Sequence, residues 1–205
     1  MSQVTDTQEK KQRGRPAGAS AVSHDRILDA VQSLLEEKSI KDLTIEEVSR
    51  RADVGKPTIY KWWPTKMSLV LDLFQNRIMI TAEVSDRGTF EESVVARIQD
   101  LISRLNGFSG KVSREIIAAG QSDPGVLDQY REICVRDSRA SMNILIQRAK
   151  ADGQIREDVD PDLLTDLIYG PIYYRLLIAH LPLDGDYGRD VVQRALSTAR
   201  KGPSD

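Results

Sequence analysis

The chain has a single cysteine, Cys134, among its 205 residues, so it cannot form an intramolecular disulfide bond. A lone cysteine suits a reducing compartment, and we expect a cytoplasmic protein. The two histidines, His24 and His180, lie far apart and form no metal-ligand cluster, so no metal or other cofactor is expected. No segment holds about 18 uncharged apolar residues, and the N-terminus is polar and basic, so neither a membrane span nor a secretory signal is predicted.

Catalytic and nucleotide-binding motifs are also missing from the sequence. We find no nucleophile elbow, phosphate-binding glycine loop, HExxH or paired-cysteine motif, so the chain is not expected to be an enzyme. Apolar residues make up 40%, enough for a packed core, while the net charge of −2 does not by itself indicate a nucleic-acid binder. Residues 1–63 hold 11 Lys or Arg against 10 Asp or Glu, so affinity for DNA would depend on a few well-placed cations.

The most informative segment is residues 44–66, TIEEVSRRADVGKPTIYKWWPTK. Thr44 and Glu47 form a capping-box pattern, in which the Thr hydroxyl accepts the Glu amide and the Glu carboxylate reaches back to the Thr amide. Gly55 is expected in a turn, where it can adopt backbone angles that bulkier residues resist, and Pro57 fits the first turn of a second helix. Two short helices joined by a tight turn are the layout of a helix-turn-helix DNA reader.

The second helix of this segment has a charged and aromatic outer face. Ile59 is expected to pack the helix onto the first one, and an outer face of this kind suits phosphate and base-edge contacts in a major groove. Its members are Lys56, Thr58, Tyr60, Lys61 and Trp62. Upstream, residues 10–15 carry four cations, of which Arg13 and Arg15 are candidates for minor-groove or phosphate contacts. These flanks favour a DNA reader over an ordinary helical hairpin with a solvated basic face.

Residues 10–75 resemble the DNA-binding domain of the TetR family of bacterial transcriptional repressors, including the closing run Trp63-Pro64-Thr65-Lys66. The resemblance implies three helices near residues 23–38, 45–52 and 56–62, with Thr44, Tyr60 and Lys66 on phosphates. Thr65 is expected to cap the helix that follows.

Two positions depart from the pattern of the family. Gly55 stands where Ser or Ala is usual, which leaves the third helix without a side-chain cap, and Trp63 replaces the commoner Phe.

Strand signals are nearly absent from the rest of the chain, where apolar residues recur at three- and four-residue spacing. We therefore predict an all-α chain with an N-terminal three-helix helix-turn-helix DNA-binding domain and a C-terminal helical ligand-binding and dimerisation domain. The predicted parts are a flexible basic arm over residues 1–20, the DNA-binding domain over 21–66 and the effector-binding and dimerisation domain over 67–205. Helices of the last part are predicted at residues 66–84, 89–105, 111–121, 124–151, 161–181 and 187–201.

The predicted helix that begins at Pro161 and ends at Leu181 is apolar on almost every face. Such a helix must be buried on all sides, so we infer a partner surface. The resemblance implies a four-helix bundle across a two-fold axis, built from this helix and the last one, which runs from Tyr187 to Lys201 and has a small-residue face. A homodimer is therefore expected, and the alternative is a monomeric bundle with a buried central helix.

The resemblance also implies a cavity for a small-molecule effector in the C-terminal domain. Candidate ligand groups are polar side chains on otherwise apolar helices, namely Tyr130, Cys134, Asn143, Tyr169, Tyr173, Arg175 and His180. Each has a simpler interpretation: a buried tyrosine can bond the backbone, Cys134 can be a small buried hydrophobe rather than a redox sensor, and Arg175 can pair with an acid across the dimer. Pro171 should kink its helix, which either shapes a cavity or only adjusts packing.

The function that these patterns favour is a ligand-responsive repressor on double-stranded DNA. Two copies of the third helix would enter successive major grooves of a palindromic operator, and an effector would favour a spacing that does not fit. The alternative is a helical scaffold that binds a protein through the apolar surface of residues 163–178 and never contacts DNA.

Overall fold

The computed structural model describes residues 17–78 and 88–200, and this part of the chain contains helices and no strand. The all-α prediction is confirmed. The helices are α1 (Ala17–Glu37), α2 (Ile45–Ala52), α3 (Lys56–Trp62), α4 (Lys66–Leu73), α5 (Phe90–Leu105), α6 (Phe108–Gly120), α7 (Pro124–Tyr130), α8 (Asp137–Ala151), α9 (Pro161–Ile178) and α10 (Gly185–Ser197). None of the helices in the described ranges is long and apolar enough to cross a membrane.

The turn between α2 and α3 differs from the sequence-based expectation in one respect. Both helices have the predicted bounds, and the Thr44 hydroxyl caps α2 by accepting the Glu47 amide at 3.3 Å. Gly55, however, has φ −62° and ψ 141°, which is ordinary extended backbone. The left-handed residue is Asp53, with φ 50° and ψ 50°. Asp53 therefore reverses the chain after α2, and Gly55 is the N-cap of α3 without a side-chain cap.

Two of the longer predicted helices contain a π-helical segment. The helix predicted at residues 66–84 is observed as α4 followed by the π-helix Phe74–Ile78, and residues 79–84 lie outside the described part. The helix predicted at residues 124–151 consists of α7, the π-helix Arg131–Arg136 and α8 in direct succession. A π-helical segment inserts an irregular turn into a helix and is frequent at functional sites.

Several helix ends differ from the predicted positions. Helix α1 begins earlier, at Ala17, and α6 begins at Phe108 rather than at residue 111. Helix α9 ends at Ile178 because Ala179 adopts the left-handed conformation, with φ 53°. Helix α10 begins at Gly185, since the Asp184 carboxylate accepts the Tyr187 amide and caps the helix.

Two apolar cores hold the helices together. The first packs α1, α2, α3 and α4 against α6 and α7, and the second packs α5 against α8, α9 and α10. Phe74, which follows α4, and Tyr130, at the end of α7, are both buried in the first core with their ring centroids 6.0 Å apart. The first three helices and the wall of the C-terminal body thus share one core.

Helix α9 is not buried on all sides within the protomer, contrary to the expectation for a monomeric bundle. Leu164, Ile168, Ile172 and Leu176 are buried in the second core. The opposite face carries large apolar side chains that are 42–59% exposed, and we call it the apolar stripe: Leu163, Leu167, Tyr174, Leu177 and Ile178.

The small-residue face of α10 packs inside the protomer rather than offering itself to a partner. Its apolar residues are all buried, and the helix lies against α5: Val191, Val192, Ala195, Leu196 and, just beyond its end, Ala199. A Cβ atom at Gly188 would lie 2.5 Å from Ile102 Cδ1, so the two helices approach closely at this glycine. Because α5 already covers this face, the predicted contribution of the last helix to a dimer would have to come from its outer face, and it stays a prediction.

The turn geometry predicts opposite effects for two substitutions. Gly55→Ser should raise the free energy of unfolding by roughly 0.5–1 kcal/mol, because it supplies a cap and restricts the unfolded chain. A Cβ there would contact only Pro57 Cδ, at an ordinary 3.7 Å. Asp53→Ala should lower the free energy of unfolding by roughly 1 kcal/mol, since alanine resists the left-handed conformation.

Urea unfolding followed by circular dichroism measures both changes, with Asp53→Gly as the control that keeps the turn conformation accessible. A destabilised Gly55→Ser protein would contradict the assignment of the left-handed position to Asp53.

Candidate functional site

Helix α3 presents a mixed charged and aromatic surface on a firmly anchored base. Ile59 is fully buried and Trp63, directly after the helix, is 4% exposed, whereas Tyr60 is 49% and Trp62 40% exposed. Lys56 and Lys61 are exposed as well, and Thr58 is half-buried. The five outward residues predicted from the sequence are therefore all at least partly exposed in the described structure.

The Asp72 carboxylate on α4 holds the end of α3 in place. Trp63 Nε1 donates a hydrogen bond of 2.7 Å to Asp72 Oδ2, and His24 Nε2 on α1 lies 3.1 Å from the same oxygen. The His24 ring also packs between the rings of Trp62 and Trp63, with centroids 5.0 and 4.7 Å away. One side of Trp62 is thus used for packing, and its exposed part faces away from α1.

The two lysines of α3 differ in their surroundings. Lys56 forms an ion pair with Glu46 on α2, so part of its charge is already compensated. Lys61 forms no ion pair or hydrogen bond with any residue that the structure describes, and its ammonium group is free to contact phosphate. Thr44 is exposed at the start of α2, where its hydroxyl also donates to the Glu47 carboxylate at 3.0 Å.

Lys66 has an internal role that the sequence did not reveal. Its Nζ donates hydrogen bonds to the backbone oxygens of Lys41 and Leu43, at 3.1 and 3.0 Å. These bonds fix the loop that leads into α2, so the ammonium group is engaged within the protein. Arg13 and Arg15 lie outside the described residues.

A cavity of about 660 Å³ lies between α5, α6, α8, α9 and the segment that joins α7 to α8. Four of the predicted ligand groups line it: Tyr130, Cys134, Tyr169 and Tyr173. Its apolar wall is formed by Leu101, Ile117, Leu127, Ile133 and Val135. The π-helix Arg131–Arg136 supplies part of that wall.

The other predicted ligand groups lie elsewhere. Asn143 is exposed on α8 and accepts a hydrogen bond of 3.1 Å from Gln147. The Arg175 guanidinium stacks 3.2 Å above the ring of Tyr187 and donates to the backbone oxygen of Pro182. His180 lies just beyond α9, exposed, with its ring 4.9 Å from that of Tyr174. Asn143 and Arg175 do not line the cavity, because their helix faces point away from it.

Burial in the cavity wall favours the neutral forms of Tyr130, Tyr173 and Cys134. The hydroxyl oxygens of Tyr130 and Tyr173 are 3.5 Å apart, and burial raises the pKa of both phenols. Burial also raises the pKa of the Cys134 thiol to about 12. Because the thiolate is the reactive form of cysteine, this environment favours the interpretation of Cys134 as a buried hydrophobe over a redox sensor.

Two arginines of α5 line the cavity and were missed in the sequence. Arg97 donates to the Tyr169 hydroxyl at 3.0 Å, the Ser141 hydroxyl at 2.9 Å and the Ser138 backbone oxygen at 3.3 Å. Arg104 pairs with Asp100 at 2.9 Å, and its Nε and Nη1 are buried without an acceptor among the described residues. The sequence feature that could have identified them is that both arginines border the apolar face of α5, seven residues apart.

Helix α6 connects the cavity wall to the first helices of the chain. Ile117 lines the cavity, and two residues earlier the Glu115 carboxylate accepts a hydrogen bond from the backbone amide of Ile40. At the start of the helix, Lys111 Nζ donates to the backbone oxygens of Leu35 and Lys38, at 2.6 and 2.8 Å. The end of α1 and the loop before α2 are therefore bonded to a helix that contacts the cavity.

Comparison with known proteins follows the same division of the chain. Residues 27–73 match the family model of bacterial regulatory proteins of the tetR family, and residues 84–195 match the model of the tetracyclin repressor-like C-terminal domain. The HTH-type transcriptional regulator YdeS of Bacillus subtilis (strain 168) is 35% identical over 186 residues, 91% of this chain and 93% of that protein.

Solved structures give the same result. The TetR family transcription regulator SCO0332 superposes with a TM-score of 0.72 at 31% identity, covering 87% of this chain and 99% of that one. FadR from Bacillus subtilis, in complex with stearoyl-CoA, has a TM-score of 0.71 at 18% identity, covering 85% and 98%, and this likeness concerns the fold alone. The family models, the identity with YdeS and the shared fold together place this chain in the TetR family of bacterial transcriptional regulators.

Proposed function

We propose that this chain is a homodimeric repressor that binds a palindromic operator in double-stranded DNA and leaves it when a small molecule occupies the cavity. The observation that carries the proposal is the surface of α3, where exposed Tyr60 and Lys61 stand on the buried anchors Ile59 and Trp63. A short helix held rigidly from behind can present donors to a major groove with little loss of side-chain entropy on binding.

The apolar stripe of α9 supports self-association. Its members follow helical spacing, so they lie along one side of the helix, and each exposes a large apolar side chain to solvent. Contiguous exposed apolar surface of this kind marks an interaction site, and a two-fold axis lets the same stripe cover itself. Two copies of α3 would then be held at a set separation, as a palindromic operator requires.

Release by an effector is supported by the connections between the cavity and α1 to α4. Tyr130 lines the cavity and packs on Phe74, which directly follows α4. Helix α6 contacts the cavity through Ile117 and holds the end of α1 through Lys111. A ligand that favours one arrangement of α6 and α7 would thereby favour one separation of the two α3 helices, and DNA would be bound by only one of the two states.

The test of the DNA-binding proposal is selection of random duplex DNA with the purified protein, followed by sequencing. We expect a palindrome whose half-sites are about one helical turn apart, because two symmetry-related α3 helices face the same side of the duplex. Absence of enrichment at low salt, together with capture of a protein by the α9 surface, would support the scaffold alternative instead.

Lys61→Ala should weaken binding to the selected operator by about tenfold or more, because it removes a charge-assisted contact. It should also reduce the slope of log K against log salt concentration by about 0.9 if the contact is to a phosphate. Fluorescence anisotropy over a salt series measures both quantities. Arg189→Ala, at an exposed position on α10, is the control, and equal affinities of the two variants would remove Lys61 from the interface.

Leu167→Glu should weaken dimerisation by more than about a hundredfold, because an unpaired carboxylate would be buried twice across the two-fold axis. Sedimentation velocity over a concentration series measures the change. Ile144→Glu is the matched control, since Ile144 on α8 is 63% exposed but lies outside the apolar stripe. If Leu167→Glu remains as dimeric as the control, the stripe is not the dimer surface.

A further inference from the structure

The charge of Arg97 is the least compensated feature of the cavity wall. Its three described acceptors are the hydroxyls of Tyr169 and Ser141 and the backbone oxygen of Ser138, and all of them are neutral. Within the described ranges no carboxylate pairs with this guanidinium, although it is only partly exposed to solvent. A cation held in a low-dielectric wall without a counter-charge strongly favours an anion beside it.

The carboxylates that line the cavity are already paired with other arginines. Asp100 pairs with Arg104, Asp137 with Arg136, and Asp166 with Arg139. Of the four arginines in the lining, Arg104, Arg131 and Arg139 each pair with an aspartate, and Arg97 has no carboxylate partner among the described residues. This one unpaired positive charge matches a ligand with one negative charge, and a dianion would add repulsion from Asp100.

Arg104 adds hydrogen-bond donors without acceptors. Its Nε and Nη1 are buried and unbonded in the described structure, and a buried donor without a partner costs free energy until an acceptor arrives. Arg97 and Arg104 are seven residues apart on α5, a rise of roughly 10 Å, and both line the same cavity. Both guanidinium groups therefore add positive charge to the wall of the same cavity.

We propose that the effector of this protein is an amphipathic monocarboxylate, whose carboxylate binds to Arg97 while its apolar part lies against the aliphatic wall. The role of this ligand as an effector rests on the proposed function. Its binding site is inferred from the residues of the cavity wall alone. A guanidinium matches a carboxylate in planar, two-bonded geometry, and the volume of the cavity is in the range of small-molecule sites.

Isothermal titration calorimetry with three octyl probes of different charge tests the assignment at pH 7.5. Octanoate carries the carboxylate, octanamide is its neutral counterpart, and octyltrimethylammonium has the opposite charge. We expect octanoate to bind about tenfold or more tightly than octanamide, and octyltrimethylammonium to bind more weakly still. 4-Phenylbutyrate and its amide repeat the comparison with an aromatic body.

Arg97→Gln should weaken octanoate binding by about tenfold to a hundredfold and leave octanamide binding nearly unchanged. Arg97→Lys keeps the positive charge but loses the planar, two-bonded geometry of the guanidinium. Its octanoate affinity should therefore fall between those of the wild type and Arg97→Gln. Arg114→Gln, at an exposed position on α6, is the matched control and should bind octanoate as the wild type does. Thermal unfolding of each free variant checks that it is folded.

The proposal is overturned if octanamide binds as tightly as octanoate, if the ammonium probe binds best, or if neither carboxylate binds at millimolar concentration. Unchanged octanoate affinity in folded Arg97→Gln and Arg97→Lys proteins would also overturn it. Adding octanoate to the complex with selected DNA separates the two proposals. Binding of octanoate without release of DNA would leave the carboxylate site standing and contradict the effector part of the proposed function.

Discussion

The packing of Tyr130 against Phe74 joins the two halves of this molecule. Both side chains are buried in the core that packs α1, α2, α3 and α4 against α6 and α7, so α4 and the cavity wall are in direct contact at this point. The Tyr130 hydroxyl meanwhile lies 3.5 Å from the hydroxyl of Tyr173 on α9, and both residues line the cavity. Because cores are close-packed, we propose that a displacement of the wall at Tyr130 reaches α4 through this contact.

The electrostatics of the protein depend on the placement of a few cations, since the chain as a whole carries a net charge of only −2. Most arginines of the described part are paired with carboxylates at the surface, where such pairs contribute little to stability. Lys61 on the outer face of α3 and Arg97 in the cavity wall form no ion pair with any described residue. A positive charge without a counter-charge marks each of the two surfaces where we propose that a ligand binds.

The second core and the apolar stripe lie on opposite faces of α9. Leu164 and Ile168 pack inward. Leu163 and Leu167, which directly precede them in the sequence, remain exposed. Helix α10 packs its small residues against α5, and its outer face is polar. The apolar stripe of α9 is therefore the main exposed apolar surface among the described residues of these two helices. A protomer built in this way has a folded core of its own and an additional surface that favours a second copy.

Local chemistry in the sequence was enough to predict the all-α fold, the bounds of α2 and α3, and the caps at Thr44 and Thr65. These features depend on residues within one helical turn of each other, so the sequence contains all the partners involved. Periodicity also identified the apolar faces, because it requires only the spacing of residues along one helix.

Only the tertiary structure decided which neighbour covers each face and which polar groups meet. It bonded Lys66 to two backbone oxygens, turned Asn143 to solvent, and brought Arg97 beside Tyr169, which is 72 residues away in the chain. It also placed the left-handed residue of the turn at Asp53 rather than at the nearby Gly55. Such outcomes depend on contacts between distant segments, and a pattern read along one helix contains no information about them.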